Sequence, residues 1–187
     1  MIPTLPLHPR NRLAETILAA IADDQARHAL RALARADDDT LAARLGEDVR
    51  AHGELARRRA RAALDALESS IGTAASLADA LSVSASLFDA GLPFEVHEVL
   101  EPHWARAAGE ARDALQGLIQ IAVGFQHRAN GNVRGAHALL LEGSERLHGR
   151  RLADLDLDAF AEAARTSVLA GGVPAFPRPP ASHERSP

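Results

Sequence analysis

No stretch of this 187-residue chain alternates apolar and polar residues at period two, and β-branched residues are sparse among its alanine, leucine, arginine and glutamate. A sheet needs that alternation or runs of β-branched residues, so the expected fold class is all-α. Glycine and proline then divide the chain. Asn11 to about Ala36 reads as one long amphipathic helix through Leu13, Ile17, Ala20, Ile21, Leu30 and Leu33. It stops at the acidic run Asp37-Asp38-Asp39-Thr40, which also caps the next helix. Thr40 to Ser69 is a second helical stretch with a mostly alanine stripe and possible breaks at Gly46 or Gly53. Its Arg57, Arg58, Arg59 and Arg61 stand among Asp48, Glu54, Asp65 and Glu68 and read as a solvated face.

From about residue 76 the chain becomes more apolar. A helix through Leu77, Leu81 and Leu87 ends at Gly91, and Pro93 suits the first turn of the next. Further helices are expected over about 93–108, 110–129 and 133–148, with a last one from Asp154-Leu155-Asp156 to Gly171-Gly172. Pro174 to Pro187 holds five prolines in 14 residues, which predicts a disordered tail. The expected organisation is a helical extension over 1–75, a compact multihelical bundle over 76–172 and the tail over 173–187.

Composition removes several functions. Without cysteine there is no disulfide framework, thiolate zinc site, iron–sulfur cluster or cysteine nucleophile. No apolar run approaches the roughly 20 residues that span a bilayer, and the first residues lack a secretory pattern, so a cytoplasmic location is expected. A net charge of -4 argues against nucleic acid or membrane captured by bulk charge. No phosphate-cradling glycine loop, dinucleotide fingerprint or serine-nucleophile elbow is present.

The chemistry gathers in two helices. In Phe94-Glu95-Val96-His97-Glu98-Val99-Leu100-Glu101-Pro102-His103-Trp104, helical spacing puts His97, Glu98 and Glu101 on one stripe with Phe94, beside Leu100 and Trp104. Ionisable groups on such a face must be paired or look into solvent. Pro102 removes an amide donor next to Glu101 and bears on where that side chain aims. In the following helix Arg112, Gln116, Gln120 and His127 form a polar line on an apolar background, flanked by Gly117 and Gly124, where a neighbouring backbone can come close. The two polar stripes are expected face to face, with Arg112 at the rim. Asn132 follows Asn130-Gly131 as a helix cap or an anion-facing group.

The run Phe88-Asp89-Ala90-Gly91-Leu92-Pro93-Phe94-Glu95-Val96-His97-Glu98-Val99-Leu100-Glu101 through Trp104, then Gln116-Gly117-Leu118-Ile119-Gln120, His127 and Gly131-Asn132-Val133-Arg134-Gly135-Ala136, resembles the all-helical family called domain of unknown function 309. The resemblance covers roughly residues 76–172 and implies a small bundle built around the His-Glu helix. It implies no established activity; a metal-dependent hydrolase role is only loosely suggested for such proteins. His97, Glu98, Glu101, Trp104, Gln116, Gln120, His127 and Asn132 stand at positions matching the family's motif.

Three readings of the cluster follow. One is a divalent-metal site for zinc, manganese or iron, with His97, Glu101 and His127 as ligands and Glu98 as the base of a hydrolase. The zinc-protease helix would need histidine where Glu101 stands, so that motif is not met. Another is a metal-free acid/base pocket in which Trp104, Arg112, Gln116, Gln120 and Asn132 line and orient a polar small molecule. The third is a hydrogen-bond network that fixes helix register in a non-catalytic module whose partner would be another protein.

Overall fold

The computed structural model describes residues 1–68 and 74–179. Its helices are α1 (Leu7–Ala19), α2 (Asp24–Arg35), α3 (Asp38–Leu45), a 3-10 helix (Glu47–His52), α4 (Gly53–Glu68), α5 (Leu77–Asp89), α6 (Pro93–Arg106), α7 (Gly109–Ala129), α8 (Val133–Leu147) and α9 (Asp158–Ala170). The all-α class holds. The sole sheet among the described residues is a two-stranded antiparallel ribbon, β1 (Arg151–Leu152) and β2 (Leu155–Asp156).

Local chemistry explains where the elements depart from the sequence expectations. The single helix expected from Asn11 to Ala36 is two helices. Asp23 caps the second by accepting from the Gln25 amide at 2.7 Å, and Arg27 donates to the Ala20 and Ile21 carbonyls left open by the break. The stretch from Thr40 breaks at Gly46, whose φ of 105° is open to glycine alone; its expected end at Ser69 lies outside the described residues. Asp37 caps α3 as the acidic run predicts, accepting from the Thr40 amide at 2.8 Å. The last helix starts later than expected because Ala153 and Asp154 take positive φ and turn the chain into the ribbon.

One continuous apolar core draws on both described stretches of the chain, from Ile2 and Leu5 through Leu13, Ile17 and Leu30 to Leu100, Phe125 and Phe160. Phe88 lies at an aromatic centre of it, with the rings of Phe125 at 5.3 Å, Phe160 at 6.2 Å and Phe176 at 5.1 Å. Phe176 belongs to the proline-rich segment. That segment has no helix or strand over residues 173–179, as its prolines predict, yet Phe176 is buried and Arg178 is paired with Asp89 at 2.7 Å. The remainder of the expected tail lies outside the described residues.

Helices α7 and α8 pack with little between them. A Cβ on Gly117 would lie 2.6 Å from Leu147, and one on Gly143 would lie 2.9 Å from the Gly117 carbonyl oxygen. The glycines of α7 therefore admit α8, and Gln120 and His127 of its polar line turn toward that neighbour.

Candidate metal centre between α1 and α6

The first turn of α6 opens with Pro93, and Phe94, Val96, Val99 and Leu100 bury its apolar side. His97, Glu98 and Glu101 are left on one flank, where His97 and Glu98 border α1. His97 Nδ1 lies 3.1 Å from Glu98 Oε1, and His97 Nε2 lies 3.9 Å from Glu101 Oε2. One ligand-capable atom from each of the three falls within 4.8 Å of the others. The His97 and Glu98 side chains are 28% and 30% exposed and that of Glu101 is 54% exposed, so the group opens to solvent. His97 and Glu98 line a cleft of about 320 Å³, walled otherwise by Arg10, Asn11, Ala14, Glu15 and Leu18 of α1 and by Phe94 of α6.

The electrostatics follow from this arrangement. The hydrogen bond to Glu98 raises the His97 pKa above its ordinary value against the opposing effect of burial; the charges of Glu98 and Glu101 add to the rise, and Arg10 works against it. A histidine whose folded pKa is raised stabilises the fold fully below its unfolded pKa, about 6.5. That contribution is lost as pH climbs through the higher folded pKa. We expect the melting-temperature gap between wild type and His97→Gln to be largest near pH 5.5 and to shrink by pH 8.5. A gap that grows with pH would contradict the assignment.

The other sequence candidates lie elsewhere, and the expected meeting of two polar stripes does not occur. Gln120 donates to Glu142 at 3.2 Å and accepts from Arg146 at 3.1 Å, both on α8. His127 Nδ1 pairs with the Asn132 side chain at 2.7 Å and stands outside the His97 group. Asn132 also accepts from the Gly135 amide at 3.0 Å, which makes it the cap of α8. Arg112 stacks 4.0 Å from the centre of the Trp104 ring and donates to the Trp104 and Ala107 carbonyls, closing the open end of α6. Trp104 Nε1 is buried without a hydrogen-bond partner. Gln116 is half-buried on α7. The reason for the mismatch is geometric: α7 spends its small residues on α8, and α6 keeps its ionisable flank for α1.

Sequence reasoning missed the most deeply placed charges. Arg59, expected in solvent, is fully buried and forms a two-pronged pair with Glu95 of α6 at 2.8 and 2.7 Å. Its other terminal nitrogen donates to the Ile2 and Pro3 carbonyls at 3.1 and 2.8 Å. The signal was present: Arg59 falls on the alanine stripe of Ala56, Ala60 and Ala63, where small side chains leave room for one long one, and Glu95 sits between Phe94 and Val96.

Fold and site together define an all-helical protein with an ionisable cleft on the flank of its His-Glu helix. The model of the family described as Domain of unknown function (DUF309) matches residues 82–139, which hold most of α5, all of α6 and α7 and part of α8, so the likeness to that family covers this central segment. No curated protein and no solved structure matches the chain. Arg10, Asn11 and Arg59 lie outside the matched segment although they touch its His-Glu helix or border its cleft. No helix among the described residues is long and apolar enough to cross a membrane.

Proposed function

We propose that His97 Nε2 and the Glu101 carboxylate hold a divalent cation and that the chain is a metal-assisted hydrolase. The observation that carries this reading is the convergence of three ligand atoms within 4.8 Å on one half-open helix flank. One imidazole nitrogen and carboxylate oxygens form a donor set suited to zinc, manganese or iron. Glu98 supports the same reading from behind. A carboxylate on one ring nitrogen fixes the tautomer and leaves the other free to ligate, a recurrent arrangement around metal-bound histidines. Glu98 therefore orients His97, and its other oxygen, without a protein partner among the described residues, is the proton acceptor. A bound cation would supply Lewis acidity and make a water molecule acidic enough to attack near neutral pH. His127 is no part of this set.

A second reading has its own support. Gln120, Arg112, His127 and Asn132 are engaged in tying helices together or closing their ends, as in a non-catalytic module that binds a protein partner or small molecule on its surface. Elemental analysis of the purified protein, with melting curves in chelator and in added zinc, manganese or iron, separates the two. At a metal concentration 100 times the dissociation constant, stabilisation of about 2.7 kcal/mol is expected. It should vanish in His97→Ala and Glu101→Ala and survive in His127→Ala. Melting indifferent to chelator and to all three ions would leave the second reading standing.

A further inference from the structure

The cleft beside His97 also carries a cation supplied by α1. The Arg10 guanidinium lies 4.4 Å from the centre of the Phe94 ring, and its Nε and Nη2 donate to Asn11 Oδ1 at 3.1 and 3.0 Å. Stacking and hydrogen bonding thus hold the group in place. Nη1 has no protein acceptor among the described residues, and no carboxylate there lies within ion-pair distance of Arg10. Arg50, Arg57 and Arg61 of the same N-terminal half are each neutralised by a carboxylate. Arg10 is near enough to His97 to disfavour its protonation, and both line the same cleft. Glu15 sits further along the α1 wall, exposed to solvent.

We propose that Arg10 is the oxyanion-binding residue of this site and that its ligand is a small molecule bearing a phosphoryl group. The inference rests on the cation reading above. A guanidinium presents a fork of N–H donors that matches two oxygens of a phosphate, and a divalent cation close by takes a further oxygen; the pair recurs wherever phosphoryl groups are held. An open cleft of about 320 Å³ accommodates a small ligand and leaves the remainder of a larger one in solvent. The site would then be shared between α6, inside the family segment, and α1, outside it. That gives the amino-terminal helices a part in ligand choice beyond packing.

Titration calorimetry with manganese alone, then with inorganic phosphate on the manganese-loaded protein, tests this in wild type, Arg10→Ala and Arg10→Lys. Circular dichroism and melting confirm that each variant is folded. Phosphate should bind the loaded wild type and bind Arg10→Ala at least tenfold more weakly, with Arg10→Lys between them. Manganese affinity in Arg10→Ala should be equal or higher, because a neighbouring positive charge is gone. Equal phosphate affinity in wild type and Arg10→Ala, or manganese binding without any phosphate binding, overturns the role of Arg10 and leaves the cation reading intact. If manganese fails to bind, the cation reading falls, and phosphate alone becomes the probe. Binding that Arg10→Ala then weakens tenfold still supports the oxyanion site, and binding that it leaves unchanged overturns it.

Discussion

Arg59→Ala is expected to destabilise the fold by about 3–5 kcal/mol, the range for breaking a buried ion pair from one side. Both partners are 1% exposed, so the surviving Glu95 carboxylate would have no water to replace the two hydrogen bonds it loses. The Ile2 and Pro3 carbonyls would lose their donor as well, loosening the segment that carries the buried Ile2 and Leu5 side chains. Glu95→Gln is expected to cost less, since an amide oxygen can still accept from the guanidinium while the charge of Arg59 goes unbalanced. The informative variant is the double change Arg59→Met with Glu95→Leu. Burying two charges is costly even when they meet well, so two apolar side chains of similar size should recover much of the loss. Recovery should stay incomplete, because neither new side chain can donate to the Ile2 and Pro3 carbonyls. Denaturant unfolding with all four proteins measures this directly; a double variant less stable than Arg59→Ala would contradict it.

The same pair shows what the sequence could and could not disclose. Helix type, the cap at Asp37 and the starts at Pro93 and Asn132 are set by neighbours a few residues away, and they were legible. His97, Glu98 and Glu101 were legible as a group for the same reason, being within one turn and a half of a single helix. Which helix they would face was not legible. That depends on how α7 divides its surface, and the decisive feature is Gly143 on α8, a residue with no chemistry to attract notice beside Gln116 and His127. Burial of Arg59 likewise depends on a partner 36 residues away. Charge clusters on a lone helix describe composition; only the packing of other helices makes one member of the cluster interior. The break near Ala20 was missed because apolar spacing continues through it, while the Asp23 cap and the Arg27 side chain that stabilise the break look unremarkable in a run of alanines.

Gly143→Val is the sharpest test of the close helix contact that turns Gln120 of α7 toward Glu142 and Arg146 of α8. Its Cβ would lie 2.8 Å from Ile121 Cγ1, 2.9 Å from the Gly117 carbonyl oxygen and 3.1 Å from the Ile121 amide nitrogen. Two of those atoms belong to the α7 backbone and cannot rotate aside, so the helices must part. Overpacking of this kind costs up to about 3 kcal/mol, and valine's added methyls place it at the upper end. Gly143→Ala should cost less, because alanine regains about 1 kcal/mol of helix propensity over glycine. Gly172→Ala is the control, with nothing within 4 Å of the new Cβ, and should stay within about 0.5 kcal/mol of wild type. Gly117→Ala meets Leu147 and the Gly143 carbonyl oxygen across the same contact. Combined with Gly143→Ala it should therefore cost less than the sum of the single changes, since helices already forced apart by one methyl have room for the other. Strict additivity in thermal or denaturant unfolding would mean that the two glycines do not share one contact. In that case the close approach of α7 and α8 would not be what directs Gln120 toward Glu142 and Arg146.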